Sequence, residues 1–590
     1  MSDVDALTGL PVADGSSRSS TEGPPPLVLQ PSTQALLETD PGAIYGRAVL
    51  AHLPRMLSQI DRNPASPTYG CCCRNFWHYR IEDIPNSQLQ EVVLTLAGAY
   101  ALERDWNPWA GSPQLLRWIE AVLLYWTRIQ RPSGCFDEVY RGQDSYAATA
   151  FSTYCSTEAA LLLRDRLAPD VVTAVTQAAR RAVDWLGATQ EELACNQVAG
   201  AAGAALNTAR LTGEARYEAV ARQAIDTLAE AQSTEGWFNE YGGADIGYSS
   251  LTVDYLARVW RRTGWEDAGA MAVRLVEFLQ YFVHRDGTAG GVHGSRNTEY
   301  LIPHGLELLA PDHAPSRELS TLLLRSLAEH PERSVLARLD DRYLCYLSGF
   351  FLQAAADAAP RAVSDLRLPC TRMHDRFFPE AGLWSRATEW YHLVANLRKG
   401  GVLRCDFHDG PSFQDSGLFV TSDDGTVHTT QALQPARAAH LDISRATVEA
   451  PLMRLRPITV SPVKVVLFKT WNLAVPARLR RWVLDALRGR AVSAGAPLAN
   501  TVRTIDASCR QIFVEDRLDL PTGRFRVRSA ALTERAFSFA SAGFFHPSEV
   551  EQVTSLPAET AASGPLTLRR TLAADGWSAS EPAPAGEGHV

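Results

Sequence analysis

A repeat interval of about fifty residues is the feature that most constrains how this 590-residue chain can fold. Three short segments, each preceded by a helical pattern and a polar turn, begin at Gly134, Gly236 and Gly287, so the intervals are 102 and 51 residues. The shorter interval is half of the longer one, which fits one helical hairpin as the repeating unit. Hairpins that bury a single face must stack on their neighbours, and about six of them fit between residues 41 and 360.

The apolar residues within this stretch recur at helical spacing. Between Tyr217 and Leu228 they follow steps of three and four residues, which predicts one buried helical face. The sequence therefore predicts an N-terminal (α/α) toroid of about six helical hairpins. An open helical solenoid is the alternative, and the closed toroid is favoured because a β-rich region follows directly.

From about residue 365 the pattern changes to short runs of β-branched and aromatic residues separated by Gly, Asp and Pro. Such runs predict an antiparallel β-sandwich, with strands at 401–407, 418–421, 458–460, 463–468 and 510–514. The expected organisation is a flexible tail over residues 1–40, the toroid over 41–362, the sandwich over 363–555 with an inserted helix near 476–490, and a second flexible tail over 556–590.

The composition excludes several classes of protein. Hydrophobic residues make up 46% of the chain and charged residues 21%, values typical of globular proteins. The formal net charge of −9 argues against a nucleic-acid partner, which would need a dense basic face. No apolar run reaches the roughly 18 residues that span a bilayer, and the N-terminus lacks a secretory pattern, so we expect a cytoplasmic protein with no membrane partner.

Polar residues collect in four clusters near the ends of predicted helices, where a toroid forms its mouth. The first cluster, residues 69–80, mixes aromatic rings with arginines, which suits a carboxylated sugar or, equally, an aromatic plug around a turn. The second cluster is the start of a helix of small residues (195–197), the third is a glycine-rich loop (235–248) and the fourth is a glycine-rich turn (290–300). Loops of this kind often carry function. The candidate substrate-binding residues of the four clusters are Arg74, Asn75, His78, Arg80, Gln197, Glu240, Asp245, Arg296, Asn297 and His304.

Two further residues connect these clusters to a known family. Asn196 stands at the start of the helix of small residues, where its simplest role is to cap the helix, and Tyr248 follows the glycine-rich loop 52 residues later. Together with residues 399–402 and 415–417, this arrangement resembles the heparinase II/III-like group of polysaccharide lyases and related uronyl epimerases. The resemblance covers about residues 45–545 and implies a toroid followed by a sandwich.

The resemblance implies a β-elimination on a uronic-acid-containing oligo- or polysaccharide. A base removes the proton at C5 of the uronic acid, and the glycosidic oxygen leaves C4. By resemblance, Asn196 contacts the substrate carboxylate and Tyr248 acts as base or acid. Because a tyrosine has an unperturbed pKa of about 10, a base at this position needs nearby positive charge, which we expect from His293 or Arg296. The candidate catalytic residues are therefore Tyr248, Asn196 and His293, and we expect no metal and no cofactor.

Gln197 is a departure from the family, because many members carry a histidine after the asparagine. A glutamine side chain can donate a hydrogen bond to a carboxylate but cannot shuttle a proton at neutral pH. Either His78, His293 or His304 takes that part, or the elimination chemistry is weakened or lost.

Three alternatives to a lyase stay open at this point. A uronyl C5-epimerase of glycan biosynthesis would use the same first proton removal. A toroidal glycoside hydrolase would use a carboxylate pair, such as Asp137 or Glu138 with Asp245. A non-catalytic glycan-binding protein would keep the groove without the chemistry.

Overall fold

A computed structural model of the chain describes residues 23–362, 366–434, 439–455, 461–475, 497–529, 535–537, 539, 541–542, 560–562, 564–579 and 583–584. Helices dominate the first part. They are α1 (Pro31–Thr39), α2 (Pro41–Leu50), α3 (Leu53–Leu57), α4 (Arg74–Trp77), α5 (Val92–Ala101), α6 (Pro113–Ile129), α7 (Tyr146–Leu162), α8 (Pro169–Gly187), α9 (Cys195–Thr212), α10 (Ala215–Ala231), α11 (Ile246–Thr263), α12 (Glu266–Leu279), α13 (His304–Leu309), α14 (Ala314–Glu329), α15 (Val335–Arg338), α16 (Asp341–Asp357) and α17 (Pro462–Ala474).

The long helices form an inner and an outer set. In the inner set α5 contacts α7, α7 contacts α9, α9 contacts α11, α11 contacts α13, α13 contacts α16 and α16 contacts α5, so the contacts follow a cycle. Helices α6, α8, α10 and α12 cover this set with one apolar face each. The face of α10 that the periodicity predicts is confirmed, since Tyr217, Ala221, Ile225 and Leu228 are buried.

The same hydrogen bonds from a glutamine side chain occur at two hairpin turns and explain the repeat interval. We call this arrangement the glutamine clasp. In the first clasp, Nε2 of Gln130 donates to the carbonyl oxygens of Gly134 and Ala178, both at 2.8 Å. Gly134 has φ of +96°, and a Cβ there would lie 2.2 Å from a backbone oxygen of the next outer helix, so only glycine fits. The second clasp repeats these contacts 102 residues later, with Gln232 donating to Gly236 at 2.9 Å and to Met271 at 3.0 Å.

The strands are β1 (His374–Phe378), β2 (Leu383–Ala387), β3 (Tyr391–Asn396), β4 (Val402–Phe407), β5 (Ser412–Asp415), β6 (Leu418–Ser422), β7 (Val427–Thr429), β8 (Ala439–Asp442), β9 (Arg445–Pro451), β10 (Met453–Arg454), β11 (Asn500–Asp506), β12 (Ile512–Asp519), β13 (Phe525–Ser529), β14 (Thr560–Ala562), β15 (Pro565–Ala573), β16 (Gly576–Ala579) and β17 (Ala583–Pro584).

Within the described residues these strands form three antiparallel sheets. Their orders are β1-β2-β3-β4-β5, β10-β7-β6-β13-β14 and β16-β15-β12-β11-β9-β8, with β17 pairing to β15. One apolar cluster joins the first and third sheets, while the helical core extends onto the first sheet.

The structure corrects three local expectations. Part of the segment 1–40 is ordered as α1, with Leu27, Leu29 and Leu37 buried against the helical core, and part of the segment 556–590 forms β15 and β16. The run 463–468, expected as a strand, lies in α17. Its apolar β-branched residues cannot by themselves distinguish a strand from a helix. The inserted helix expected near 476–490 and the strand expected at 458–460 lie outside the described residues. No helix of the described chain has the length and apolar character that a membrane crossing requires.

Candidate functional site

The first turns of α9 and α11 lie side by side and bring Asn196 and Tyr248 into one region. Two glycines of α9 allow its close packing on α7, which carries Phe151 and Tyr154. A Cβ on Gly200 would lie 2.6 Å from the ring of Phe151, and a Cβ on Gly203 would lie 3.0 Å from the ring of Tyr154, so the aromatic rings pack directly on the α9 backbone. The small residues that follow Asn196 in the sequence are therefore a packing requirement.

Asn196 is buried inside the first turn of α9 and does not cap it, since the cap position is occupied by Ala194. Its backbone N–H donates to Oε1 of Glu240 at 2.8 Å. Within the described part of the chain, the side-chain oxygen of Asn196 and the second oxygen of Glu240 have no hydrogen-bond partner. Burial raises the pKa of Glu240 well above its usual range, and neighbouring Asp245 adds to this shift, although the bond from Asn196 opposes it. Burial thus favours the protonated form of Glu240.

Tyr241, Tyr248 and Arg296 form the centre of the candidate site. The two tyrosine ring centroids are 6.2 Å apart. The Arg296 guanidinium lies 4.2 Å from the ring centroid of Tyr241 and 4.1 Å from that of Phe539, so it is held between an aromatic ring of the helical half and one of the strand half. Gln197 contributes a bond from Nε2 to the hydroxyl of Tyr241 at 3.0 Å.

Electrostatics around Tyr248 act in both directions. Burial raises the pKa of its phenol, while the Ser541 hydroxyl and the Arg296 guanidinium lower it, and the carboxyl groups of Asp245 and Glu240 raise it further. The net direction is upward. Free Tyr248 is consequently a neutral phenol at neutral pH, and it needs added positive charge or a hydrogen-bonded substrate to act as a base.

Asp245 fixes the segments around Tyr248 and Arg296 through hydrogen bonds. It is fully buried and caps α11, with Oδ1 accepting from the backbone N–H of Tyr248 at 3.3 Å and from the hydroxyl of Thr298. Its other oxygen accepts from the backbone N–H of Arg296 at 2.9 Å. Both oxygens of Asp245 are therefore engaged in fixing the two segments that carry Tyr248 and Arg296.

Lys399 fixes the same segment from the strand half. The side chain is 2% exposed, and its ammonium group donates to the carbonyl oxygens of Val292 and Gly294, both at 2.8 Å, and to the side-chain oxygen of Asn297. Asn297 has φ of +56° and also donates to the carbonyl oxygen of Phe537 at 3.3 Å. Asn297 thus joins the Arg296 segment to the segment that carries Phe539. Burial lowers the pKa of Lys399 to about 7.

The four candidates of the first cluster lie in and after α4 and form a surface group of their own. Nδ2 of Asn75 donates to Glu82 at 3.0 Å, and the guanidinium of Arg74 lies over the ring of Tyr79. His78 stands between two aromatic rings and is exposed, as is Arg80. None of their described contacts reaches Tyr248.

The two candidate histidines are deeply buried, and their described contacts are with residues other than Tyr241 and Tyr248. His304 sits between the carboxylates of Asp254 and Asp357, each 2.7 Å from a ring nitrogen, so both of its nitrogens are committed to the core. His293 packs against Phe282 and His284, and burial lowers its pKa well below the usual range. The expectation that His293 supplies positive charge to Tyr248 is therefore not supported by its surroundings, and Arg296 is the residue that contributes this charge.

One group of side chains has the composition of a metal site. His284, His392 and Asp406 are all buried, and a ligand atom from each lies within 4.8 Å of the other two. The group lies at the junction of the helical half with the first sheet.

Three residues of the candidate site around Tyr248 could not be anticipated from the sequence. Tyr241 lies in the glycine-rich loop and carries no sequence motif of its own. Its φ of +57°, which turns the chain so that the ring meets Arg296, has no signal in the sequence. Phe539 and Ser541 come from the distant strand half. Lys399 belongs to the Lys399-Gly-Gly-Val402 run, which the resemblance to the family had already singled out.

The solved structures that the chain matches include polysaccharide lyases and unsaturated glucuronyl hydrolases. The chain matches a chondroitin AC lyase from Streptomyces coelicolor A3, solved with chondroitin sulphate, at a TM-score of 0.52 and 13% identity, covering 83% of this chain and 67% of that chain. This likeness relates the two proteins at the level of the fold. A Paenibacillus xanthan lyase matches at a TM-score of 0.45 and 11% identity, covering 84% of this chain and 48% of that one. A heparan sulfate lyase from Pedobacter heparinus matches at 0.38 and 10%, covering 82% and 70%. No family model and no curated protein sequence matches the chain.

Proposed function

We propose that the chain is a carbohydrate-active lyase that breaks a uronic-acid-containing glycan by C5 proton abstraction and β-elimination, in the manner of the heparinase II/III-like group. We also propose that the helical half is a closed (α/α) toroid and that the strands beyond it form a sandwich. The cycle of contacts among the inner helices supports the toroid. The shared core of the first and third sheets supports the sandwich.

The observation that carries the proposal is the position of the Arg296 guanidinium beside Tyr248. Among the described residues Arg296 forms no ion pair, and its Nε has no partner, although the side chain is fixed between two aromatic rings. A planar guanidinium of this kind suits a carboxylate, and uronic acids carry one next to C5. Neutralising that carboxylate lowers the cost of the enolate-like intermediate.

Asn196 and Tyr248 complete the proposed chemistry. The side-chain amide of Asn196 is held at the helix start by the bond from its own backbone to Glu240, and it would donate to the carboxylate from the other side. Tyr248 would remove the C5 proton and return a proton to the leaving oxygen, since a phenol can serve both steps. Bound substrate also excludes water from the phenol, so the charge of Arg296 acts on it more strongly.

A C5-epimerase is the second candidate, because the site holds two phenols. Tyr241 and Tyr248 lie close together, and an epimerase needs one group to remove the proton and another to return it from the opposite face. The hydrolase alternative has less support. Asp245 is saturated by its structural bonds, and Asp137 accepts from the backbone of Gly142 at 2.7 Å and of Asp144 at 3.0 Å.

The test is a panel of uronate polymers with the wild type and Tyr248→Phe. We expect new ultraviolet absorbance from the unsaturated product, or C5 deuterium exchange if the enzyme is an epimerase, and loss of both signals in Tyr248→Phe. Tyr100→Phe is the matched control, because this partly buried tyrosine lies on α5 and contacts none of the proposed site. Reducing sugar without a double bond would indicate a hydrolase, and binding without turnover would indicate a glycan-binding protein. Cytoplasmic localisation stays a prediction.

A further inference from the structure

We propose that His284, His392 and Asp406 form a binding site for a divalent transition-metal ion, with Zn²⁺ as the ion that the donors favour. His284 lies in the turn after α12, His392 on β3 and Asp406 on β4. We expected no metal from the sequence, because the three residues are too far apart in the chain to form a recognisable motif. The proposal stands apart from the glycan chemistry.

Each of the three side chains offers one buried atom that lacks a hydrogen-bond partner among the residues that the structure describes. These atoms are Nδ1 of His284, Nδ1 of His392 and Oδ2 of Asp406. Leaving one buried polar atom unpaired costs about 1–3 kcal/mol, so buried groups of this kind are rare. A single cation would satisfy all three atoms at once.

The geometry between His284 and Asp406 also points to a shared ion. Nε2 of His284 donates to the carbonyl oxygen of Gly290 at 3.0 Å. A carbonyl only accepts, so in the neutral ring Nδ1 carries a lone pair. That lone pair lies 2.9 Å from Oδ2 of Asp406 without the alignment of a hydrogen bond. Two ligand atoms about 2.0–2.2 Å from one tetrahedral Zn²⁺ lie about 3.3–3.6 Å apart, so His284 and Asp406 would separate by about 0.5 Å to share an ion.

The opposite ends of the other two side chains are held by neighbours. Nε2 of His392 lies 3.3 Å from the hydroxyl of Ser385. Oδ1 of Asp406 accepts from Nε of Arg404 at 3.0 Å, and Arg404 is itself paired with Asp286 at 3.2 Å. Outer hydrogen bonds of this kind orient the ligands of protein metal sites and fix the histidine tautomer.

Two imidazoles and one carboxylate are a typical donor set for Zn²⁺, with a fourth position left for water or another ligand. The ring of His293 lies next to that of His284, with centroids 5.9 Å apart, and neither of its nitrogens has a partner in the described chain. A cavity of about 250 Å³ lies beside Asp406, which is one of its lining residues. The fourth position would fall to water or to a nitrogen of His293.

The ion would join the helical half to the first sheet. His284 belongs to the turn that precedes the Arg296 segment, whereas His392 and Asp406 belong to neighbouring strands. Metal binding that requires this junction to be intact adds directly to its stability.

The test uses the full chain, stripped with a chelator and titrated with Zn²⁺ alone. We expect one ion per chain by calorimetry and elemental analysis, with a rise in the unfolding temperature. His284→Gln and Asp406→Asn should each raise the Zn²⁺ dissociation constant by about 100-fold or more. His313→Gln is the matched control and should bind as the wild type does. Its two nitrogens face the Ser316 hydroxyl at 2.9 Å and the Glu277 carboxylate at 3.2 Å, away from all three proposed ligands.

Absence of stoichiometric Zn²⁺ binding by the wild type would overturn the proposal, and so would unchanged binding in His284→Gln. In that case His284 and Asp406 would form only an ion pair. A Co²⁺ titration of the wild type keeps the test decisive if the variants fail to fold, since ligand-field absorption in the visible range is expected and its absence counts against the site. Neither measurement uses a glycan, so its result does not depend on the proposed lyase activity.

Discussion

Two buried polar groups of the helical half differ in whether their atoms have partners. In the core network, both oxygens of the Glu158 carboxylate are bonded, through Asn207 at 2.9 Å, Arg262 at 2.7 Å and Arg258 at 3.2 Å. Around Tyr248, the side-chain oxygen of Asn196 has no partner in the described chain, and the Arg296 guanidinium is stacked but not ion-paired. Complete pairing marks a group that stabilises the fold, whereas unpaired and rigid polar atoms mark a group arranged to bind something.

The largest expected effect is on activity, from Tyr248→Phe. We expect kcat/KM on an accepted uronate polymer to fall by about 10²- to 10⁴-fold, the usual loss when a general acid–base group is removed. The free energy of unfolding should fall by no more than about 0.5–1.5 kcal/mol, because the ring packing is retained and only the hydrogen bond to Ser541 is lost. Urea unfolding and initial rates on the same preparation check both values. An activity loss that parallels a stability loss would break the comparison.

The opposite pattern is expected for Glu158→Gln. Removing the charge leaves Arg258 and Arg262 without their shared carboxylate, and breaking a buried pair of this kind costs about 3–5 kcal/mol. Although burial acts to raise it, the two arginines lower the pKa of Glu158 to about 2. The stability that the carboxylate contributes is therefore complete above its unfolded pKa of about 4.3 and is lost as pH falls towards 2. Urea unfolding across this range tests the prediction, with the exposed Glu230→Gln as control.

A smaller effect is expected from Arg296→Gln. A charge-assisted hydrogen bond is worth about 1.5–3 kcal/mol, so kcat/KM should fall by about 10- to 100-fold. Arg216→Gln is a matched control, because Arg216 also lies 4.2 Å from a tyrosine ring but on the exposed face of α10. Steady-state kinetics on both variants separate a lost substrate contact from a lost ring contact. Equal activities of the two variants would remove Arg296 from the proposed site.

The effect that is smallest per step of the measurement is a pH dependence of stability due to Lys399, spread over about three pH units. Burial lowers its pKa to about 7, against about 10.4 in the unfolded chain. Between these values the unfolded state binds more protons than the folded state, so Lys399 makes stability rise with pH, by at most about 1.4 kcal/mol per pH unit. Lys399→Met should remove this contribution to the slope. Urea midpoints at several pH values above 7 measure it, and an identical slope in the variant contradicts the prediction.

Much of the helical half was predictable because its signal is periodic. The turn glycines Gly134 and Gly236 mark the interval, and the glutamine clasp shows the contacts that require it. The apolar face of α10 follows directly from helical spacing. The run 463–468 was predicted wrongly, since a short apolar stretch fits a strand and a helix equally well. The segment around Leu37 looked like a tail because its few apolar residues find their partners only in the folded core.

The candidate site was predictable only in part, because sequence composition reports polar density and not pairing. Asn196 and Tyr248 do lie at neighbouring helix starts. His293 and His304 stood in equally polar surroundings, yet the fold places both in buried clusters. Phe539 could not be anticipated, since it meets Arg296 only after residues more than two hundred positions apart come together.

The stacking of Arg296 between Tyr241 and Phe539 has a consequence for how such a site can arise and be lost. Neither half of the molecule contains both aromatic rings, so a gene fragment that encodes one half could not carry the proposed activity into a new fusion. Drift in the strand half can silence the site while every helical residue stays intact. A substitution at Phe539 can therefore disturb this guanidinium as directly as one at Tyr241, as though it lay at an interface between subunits.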